Sequence, residues 1–208
     1  MISFGRIWPL FWIGLFCLTG CISFHLPKAA APIYYQLDYQ PTTPHCRQAF
    51  KKALRVWSFT SSSPYKGTQM VVQKPQGQVA YSSAFQWVAA PGVLVSQSLL
   101  RDLNRSRLFP QVLSANNAGQ APLELSGHVF VFAWERGGAA SRAALQVEVS
   151  LVDTAKPKRV IFRKEYDLRS QPFVEDSSSA FARAMSMLMA QFSEKFQKDL
   201  CHSLSTPQ

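Results

Sequence analysis

Residues that carry chemistry are scarce in this sequence. Its 208 residues include 4 histidines and 4 cysteines, and 12 acidic residues stand against 22 lysines and arginines. There is no Gly-rich phosphate loop, no His-Glu-x-x-His, no Gly-x-Ser-x-Gly and no Cys-x-x-Cys. The local signatures of nucleotide binding, zinc proteolysis, serine hydrolysis and thiol exchange are therefore missing. The histidines are scattered: His25 near the start, His45 beside Cys46, His128 in an apolar stretch and His202 beside Cys201. No second cysteine pair or histidine cluster offers a zinc site. His128 near Ser126 is the closest approach to a base with a nucleophile, and a histidine held by a backbone partner is its simpler reading. The sequence reads as that of a non-enzyme, with no catalytic residue, metal or cofactor. It also lacks an internal repeat, which argues against solenoids and propellers.

A membrane-spanning run is missing too. The longest apolar segment, residues 7–18, has only about a dozen residues, where a bilayer needs roughly twenty. Its flanks explain it. Residues 1–6 carry one positive charge and no acid, and Leu18-Thr19-Gly20-Cys21 follows. A charged start, an apolar middle and a small-residue exit form a secretory signal. Leu-x-Gly-Cys moreover resembles the lipobox, which implies cleavage after Gly20, diacylglycerol on the Cys21 thiol and acylation of the new amino group. Two or three acyl chains at about 0.8 kcal/mol per buried methylene make a durable anchor, where one chain is marginal. The alternative, a buried helix with Cys21 as a core thiol, fits Pro9 and the flanking charge less well.

Removing the first 20 of the 208 residues leaves 188, the size of one domain. The apolar fraction of 47% is that of a globular chain. The net charge of +10 falls to +9 once Arg6 leaves. In a cytoplasmic protein such an excess points to nucleic acid, a partner that export removes. The cations are spread out except for Lys51-Lys52 with Arg55 and the stretch 156–164. Each cluster reads first as a solvated face, and otherwise as a surface drawn to anionic headgroups or an acidic protein. Cys17 leaves with the signal and Cys21 is lipidated, so Cys46 and Cys201 remain as one pair near opposite ends of the mature chain. In an oxidising compartment these two are expected to join, with two separate buried thiols as the alternative.

Periodicity organises the rest. Residues 22–32 form a tether with two prolines. Strands are expected at 33–39, 54–59, 68–73, 78–87 and 111–113, and longer ones at 123–134, 143–152 and 159–168. In the second, Leu54, Val56 and Ser58 share one face and Arg55, Trp57 and Phe59 the other. In the last, Val160, Phe162, Tyr166 and Leu168 share a face. Gly137-Gly138 and residues 154–157 are hairpin turns, so the three long strands form an antiparallel meander. Pro91 opens a helix whose Val95, Leu99 and Leu103 make an apolar stripe, with Arg101, Asp102, Asn104 and Arg105 on the wet side. A long final helix over 177–204 repeats Phe181, Met185, Leu188, Phe192 and Phe196 on one face, capped by Asp176 or Ser177. The result is a single α/β domain with a mixed, largely antiparallel sheet and two main helices. The expected layout is signal 1–20, tether 21–32, domain 33–204 and tail 205–208.

The order and spacing of these segments resemble the ABC-type transport auxiliary lipoprotein family, which includes the paraquat-inducible lipoprotein PqiC. The resemblance is carried by the lipobox and Tyr34-Tyr35-Gln36-Leu37, then Tyr81, Trp87 and Pro91 leading into the helix with Leu99 and Leu103. Ser106-Arg107-Leu108-Phe109 with Val112 continues it, followed by the two long strands and the Ala-rich final helix. It implies a fold like the amino-terminal domain of TolB. It also implies an auxiliary role beside an ABC permease and ATPase whose periplasmic subunit is an MCE protein, moving phospholipid or other hydrophobic molecules between the inner and outer membranes. Self-association is left open. Ile22 is not the aspartate that retains lipoproteins at the inner membrane of enteric bacteria, which favours the outer membrane. Rival readings are an outer-membrane assembly lipoprotein serving lipopolysaccharide or a β-barrel partner, and a module that binds lipid itself. Trp57, Trp87 and Trp134 are the candidates for a partner-facing surface, each of them also suited to a core.

Overall fold

The computed structural model describes residues 31–42, 46, 49–137, 140–174 and 177–205. The expected signal, Cys21, His25 and His45 lie outside them, as do Gly138, Asp176 and all but the last residues of the tether. Among the described residues nine strands and two α-helices, with short 3-10 turns at Ser63–Tyr65 and Pro75–Gly77, follow in order: β1 (Ile33–Tyr35), β2 (Leu54–Val56), β3 (Thr60–Ser61), β4 (Gln69–Gln73), β5 (Val79–Trp87), α1 (Pro91–Ser106), β6 (Val112–Ser114), β7 (Leu123–Gly137), β8 (Ala140–Asp153), β9 (Arg159–Arg169) and α2 (Ser178–Ser205).

The apolar, β-branched stretch that makes β7 is the axis of the sheet. One edge of β7 pairs antiparallel with β8 over its whole length, and β8 pairs antiparallel with β9, so the expected meander is present. The other edge is divided among three short strands, all parallel to β7: β2 beside Leu123–Leu125, β3 beside His128 and Val129, and β4 beside Trp134 and Glu135. Outside β2 lies β6, parallel; outside β4 lies β5, antiparallel, and then β1, parallel to β5. The mixed sheet thereby curls into half a barrel. Bulges at Phe130 of β7 and Ile161 of β9 add to the twist.

Inward residues of the sheet (Leu125, Val129, Phe132, Leu145, Val147, Val149 and Leu151) are fully buried, and both helices lie over them. Val95, Leu99 and Leu103 of α1 are inaccessible, as are Phe181, Met185, Leu188, Phe192 and Phe196 of α2. Burying each such side chain contributes about 1.5–3 kcal/mol. Pro91 occupies the first turn of α1 and Arg107 closes it in the left-handed region at φ 56°. Ser177 caps α2 by accepting a hydrogen bond from Ala180 N–H at 3.1 Å.

Three details depart from the sequence reading. The first strand stops at Tyr35, because the chain then crosses the helices, where Asp38 N–H donates to Ser186 Oγ at 3.0 Å. The second stops at Val56; after the break Phe59 turns inward while Trp57 and Ser58 are exposed. The Ile161 bulge puts Val160 out of phase with Phe162, leaving Val160 exposed.

Phe59 reaches its place because Gly127 lets it. A Cβ on Gly127 would run into the Phe59 ring and lie 2.7 Å from the Glu148 carbonyl oxygen. Gly127→Ala is expected to cost about 1–3 kcal/mol by overpacking, whereas Gly67→Ala, where a Cβ meets nothing within 4 Å, stays near wild type. Urea unfolding of the two variants compares them directly.

Candidate functional site

Four features meet at one end of the domain: the turn from β4 to β5, the β7–β8 hairpin, the start of β1 and the start of α2. Alternation in β7 aims Phe132 and Trp134 at the helices. Trp134 stacks on Phe181 of α2 with centroids 5.4 Å apart, and Trp87 meets Phe132 and Phe181 edge-on at 5.2 and 5.5 Å. The Arg136 guanidinium lies over Trp134 at 4.0 Å. Tyr35 ties β1 to the first turn of α2, its hydroxyl 2.9 Å from Ser178 Oγ. Beyond this aromatic plug lies a cavity of about 400 Å³, lined by Met70, Val72, Ala80, Phe85 and Trp134 on its apolar side and by Ser82, Arg136, Ser177 and Ser178 on its polar side. Its volume is within the roughly 300–1,000 Å³ of small-ligand pockets. Among the described residues the lining includes no histidine, cysteine or carboxylate, and what it offers is shape, apolar contact and hydroxyl and guanidinium donors. At the same end Ile33, Tyr34, Val79, Tyr81 and Val174 are exposed.

A polar weld joins the two helices beneath the core. Asp102, expected on the wet side of α1, is 1% exposed. It accepts hydrogen bonds from Tyr39 OH at 2.6 Å, Ser193 Oγ at 2.7 Å and Arg101 Nε at 2.9 Å. The stripe is wide enough to include it, since Asp102 lies seven residues after Val95 and three after Leu99. Burial and the Asp102 carboxylate push the Tyr39 phenol well above its ordinary pKa. A second carboxylate, Asp199 of α2, takes Lys164 Nζ at 2.8 Å and Tyr166 OH at 2.6 Å from β9. Partial burial would raise its pKa, but these two donors outweigh that and hold it below the ordinary carboxylate value. Cys46 and Cys201 are juxtaposed, their Cα atoms 5.5 Å apart, inside the roughly 4.4–6.8 Å span of a disulfide.

The other residues singled out in the sequence fall elsewhere. Both ring nitrogens of His128 face hydroxyls, Nδ1 that of Thr60 at 2.7 Å and Nε2 that of Ser62 at 3.0 Å. Glu148, its cross-strand neighbour, is held by Arg163. His128 thus clasps β3 to β7, and the structure does not join it to Ser126 and an acid. Arg55 is committed to the carbonyls of Ser114, Asn117 and Gly119. Of the three tryptophans, Trp87 and Trp134 are core and Trp57 is 39% exposed. Sequence reasoning missed the cavity, since its walls come from separate segments with no common spacing.

Residues 35–196 match the family model of the ABC-type transport auxiliary lipoprotein component. No curated protein sequence gives a significant match. Among solved structures the chain is similar to protein XCC0632 from Xanthomonas campestris, of the family DUF330, with a TM-score of 0.74 at 14% identity, covering 82% of this chain and 95% of that one. It is also similar to the hypothetical protein CT253 from Chlamydia trachomatis, with a TM-score of 0.54 at 9% identity, covering 75% and 99%. At these identities the likeness is one of fold.

Two consequences can be measured. Asp102→Ala strands the Tyr39 and Ser193 hydroxyls and is expected to cost about 3 kcal/mol in urea unfolding. Asp199 has a lowered folded pKa, so its contribution is present above the unfolded carboxylate value of about 4 and is lost as pH falls through the folded one. Stability measured down the acid limb is therefore expected to fall less steeply in Asp199→Asn than in wild type.

Proposed function

The chain belongs to the ABC-type transport auxiliary lipoprotein family, and from that membership we propose that it is a periplasmic lipoprotein assisting an MCE-type ABC system. In this reading the system moves phospholipid or other hydrophobic molecules between the inner and outer membranes. The observation that carries it is the extent of the match, which runs from β1 to Phe196 in α2, with Leu18-Thr19-Gly20-Cys21 just upstream. Acyl chains on Cys21 hold the protein to the periplasmic face of a membrane, and Ile22 favours the outer one. Residues 22–32 are the tether, and the folded domain is the part that meets the ABC system. The role is one of attachment and docking.

In the oxidising periplasm Cys46 and Cys201 form a disulfide. Their separation of 155 residues makes the closed loop long, and cross-linking such a loop restricts the unfolded chain by about 4–5 kcal/mol in the entropy model. The bond fastens the segment before β2 to the last turns of α2.

Purification of the carboxy-terminally tagged protein from detergent-solubilised envelopes, read by mass spectrometry, tests the function. An MCE protein recovered with its permease and ATPase is the expected result. A β-barrel protein recovered in their place would replace this reading with outer-membrane assembly. Cys21→Ser is expected to move the protein from the outer-membrane fraction to the soluble one. Cys46→Ser is expected to lower stability by about 2–4 kcal/mol and to leave Cys201 open to thiol alkylation in the unfolded protein; failure of wild-type Cys201 to resist alkylation would rule out the bond.

A further inference from the structure

The cavity between β5 and the start of α2 lies where the sheet loses its register. β4 and β5 pair Gln69 with Gln86 and then Val71 with Tyr81. Val71 lies two residues after Gln69, whereas Tyr81 lies five before Gln86, so three residues of β5 have no counterpart in β4. The excess falls within Ser82-Ser83-Ala84-Phe85, where Ser82 Oγ accepts the Phe85 N–H at 2.9 Å. Extra residues of this kind bend a strand and re-aim its side chains. Next to the fault the strands are in step. Trp134 pairs with Val72 and Val72 with Ala80, so these three side chains form one row on one face. Met70, Ser82 and Arg136, each two residues away on the same strands, join them in the cavity wall.

The wall divides into an apolar side and a side of donors. Met70, Val72, Ala80 and Phe85 supply the first, with the face of Trp134. Trp134 also begins the second: it is 4% exposed, and its indole N–H has no hydrogen-bond partner among the described residues. A buried donor without an acceptor is costly, and an acceptor seated in the cavity that Trp134 lines removes that cost. Ser82 Oγ is engaged as an acceptor, which leaves its O–H to donate, and the Arg136 guanidinium can only donate. The groups in place thus call for a ligand head that accepts. Size sets its body. A methylene fills about the volume of a water molecule in the liquid, roughly 30 Å³, so a cavity of about 400 Å³ holds a chain of about a dozen carbons. That is one acyl chain and not two. Tyr81, also in the wall, is 52% exposed, so the cavity opens to solvent beside an apolar surface.

We propose that this cavity binds a single acyl chain with an oxygen-bearing head, a fatty acid or a monoacyl lipid. Its body lies against Met70, Val72 and Phe85, and a head oxygen accepts from Trp134 Nε1–H and Ser82 O–H. The two ligands share this chemistry and differ in what is attached beyond the carbonyl. The site goes beyond the docking role proposed above and does not rest on it, since its walls are complete within this chain.

The test is photolabelling of the protein purified from envelopes and reconstituted in phosphatidylcholine vesicles, where detergent cannot occupy the cavity. The probe is dodecanoic acid carrying a diazirine on its chain, and the labelled residues are mapped by mass spectrometry. The competitors are dodecanoic acid, dodecanoyl lysophosphatidylcholine and dodecane. Ala80→Phe fills the cavity, Trp134→Phe removes the indole N–H while keeping a ring against Phe181, and Val79→Phe adds the same bulk outside the lining. Circular dichroism melts confirm that each variant is folded. Label is expected on β4, β5 and β7 at the wall in wild type and in Val79→Phe, and is expected to fall to background in Ala80→Phe. Trp134→Phe is expected to weaken competition by dodecanoic acid about three- to tenfold, the effect of one hydrogen bond, and to leave that by dodecane unchanged. Competition by the acid alone identifies a fatty acid, and equal competition by the lysophospholipid a monoacyl lipid; either upholds the site. Label spread over surface residues, or unchanged in folded Ala80→Phe, would reduce the binding to membrane partition and overturn the proposal. So would competition by dodecane equal to that of the acid, which would mean that no head is recognised. If Ala80→Phe does not fold, the map in wild type and the response of Trp134→Phe decide by the same criteria.

Discussion

Almost every element of this fold depends on how the hydrogen bonds of a single strand are shared. β7 gives one whole edge to β8 and divides the other among β2, β3 and β4. Three short segments that could form no stable sheet alone are thus aligned by one partner long enough to serve them all. The division requires the chain between β2 and β4 to fold back over the sheet, and Phe59 fills that space against Gly127. It also fixes what lies at each end. The start of β7 collects the ends of β8 and α1, and its finish collects the start of β5 and the cap of α2.

Both helices lie on the one face that this arrangement leaves to be covered, and a polar contact sets how they sit together. A buried aspartate adds little net stability over an apolar residue of similar shape, because its desolvation offsets its hydrogen bonds. What Asp102 adds is position: Tyr39, Ser193 and Arg101 converge on its two oxygens, which fixes the segment after β1 and the middle of α2 against α1. The aromatic plug of Trp87, Phe132, Trp134 and Phe181 performs the same service at the start of α2 by ring geometry.

Much of this was legible in the residues. The period-2 alternation of 145–151 and the helical spacing of 181, 185, 188, 192 and 196 name the buried faces without a structure, because burial on one side leaves a periodic trace. The lipobox-like start and the order of segments pointed to the family that the match over residues 35–196 shows. Details were lost where local pattern met tertiary demand. A bulge at Ile161 moved Val160 off its face, a break after Val56 moved Phe59 onto the other, and partners from distant segments drew Asp102 inward. The cavity has no linear signature, since it is assembled from segments that only the fold brings together.

The position of β1 has a mechanical meaning. A pull on the chain ahead of β1 enters the domain through this edge strand of three residues, braced by Tyr35 against Ser178. Such a strand is the first place to yield. Once bonded, Cys46 and Cys201 would transfer the load from the peeled segment to the last helix, so unravelling would stop at residue 46 while the rest of the sheet stayed closed. The protein would lengthen under tension by a fixed amount and re-form when released, as a strain limiter does in a mooring line.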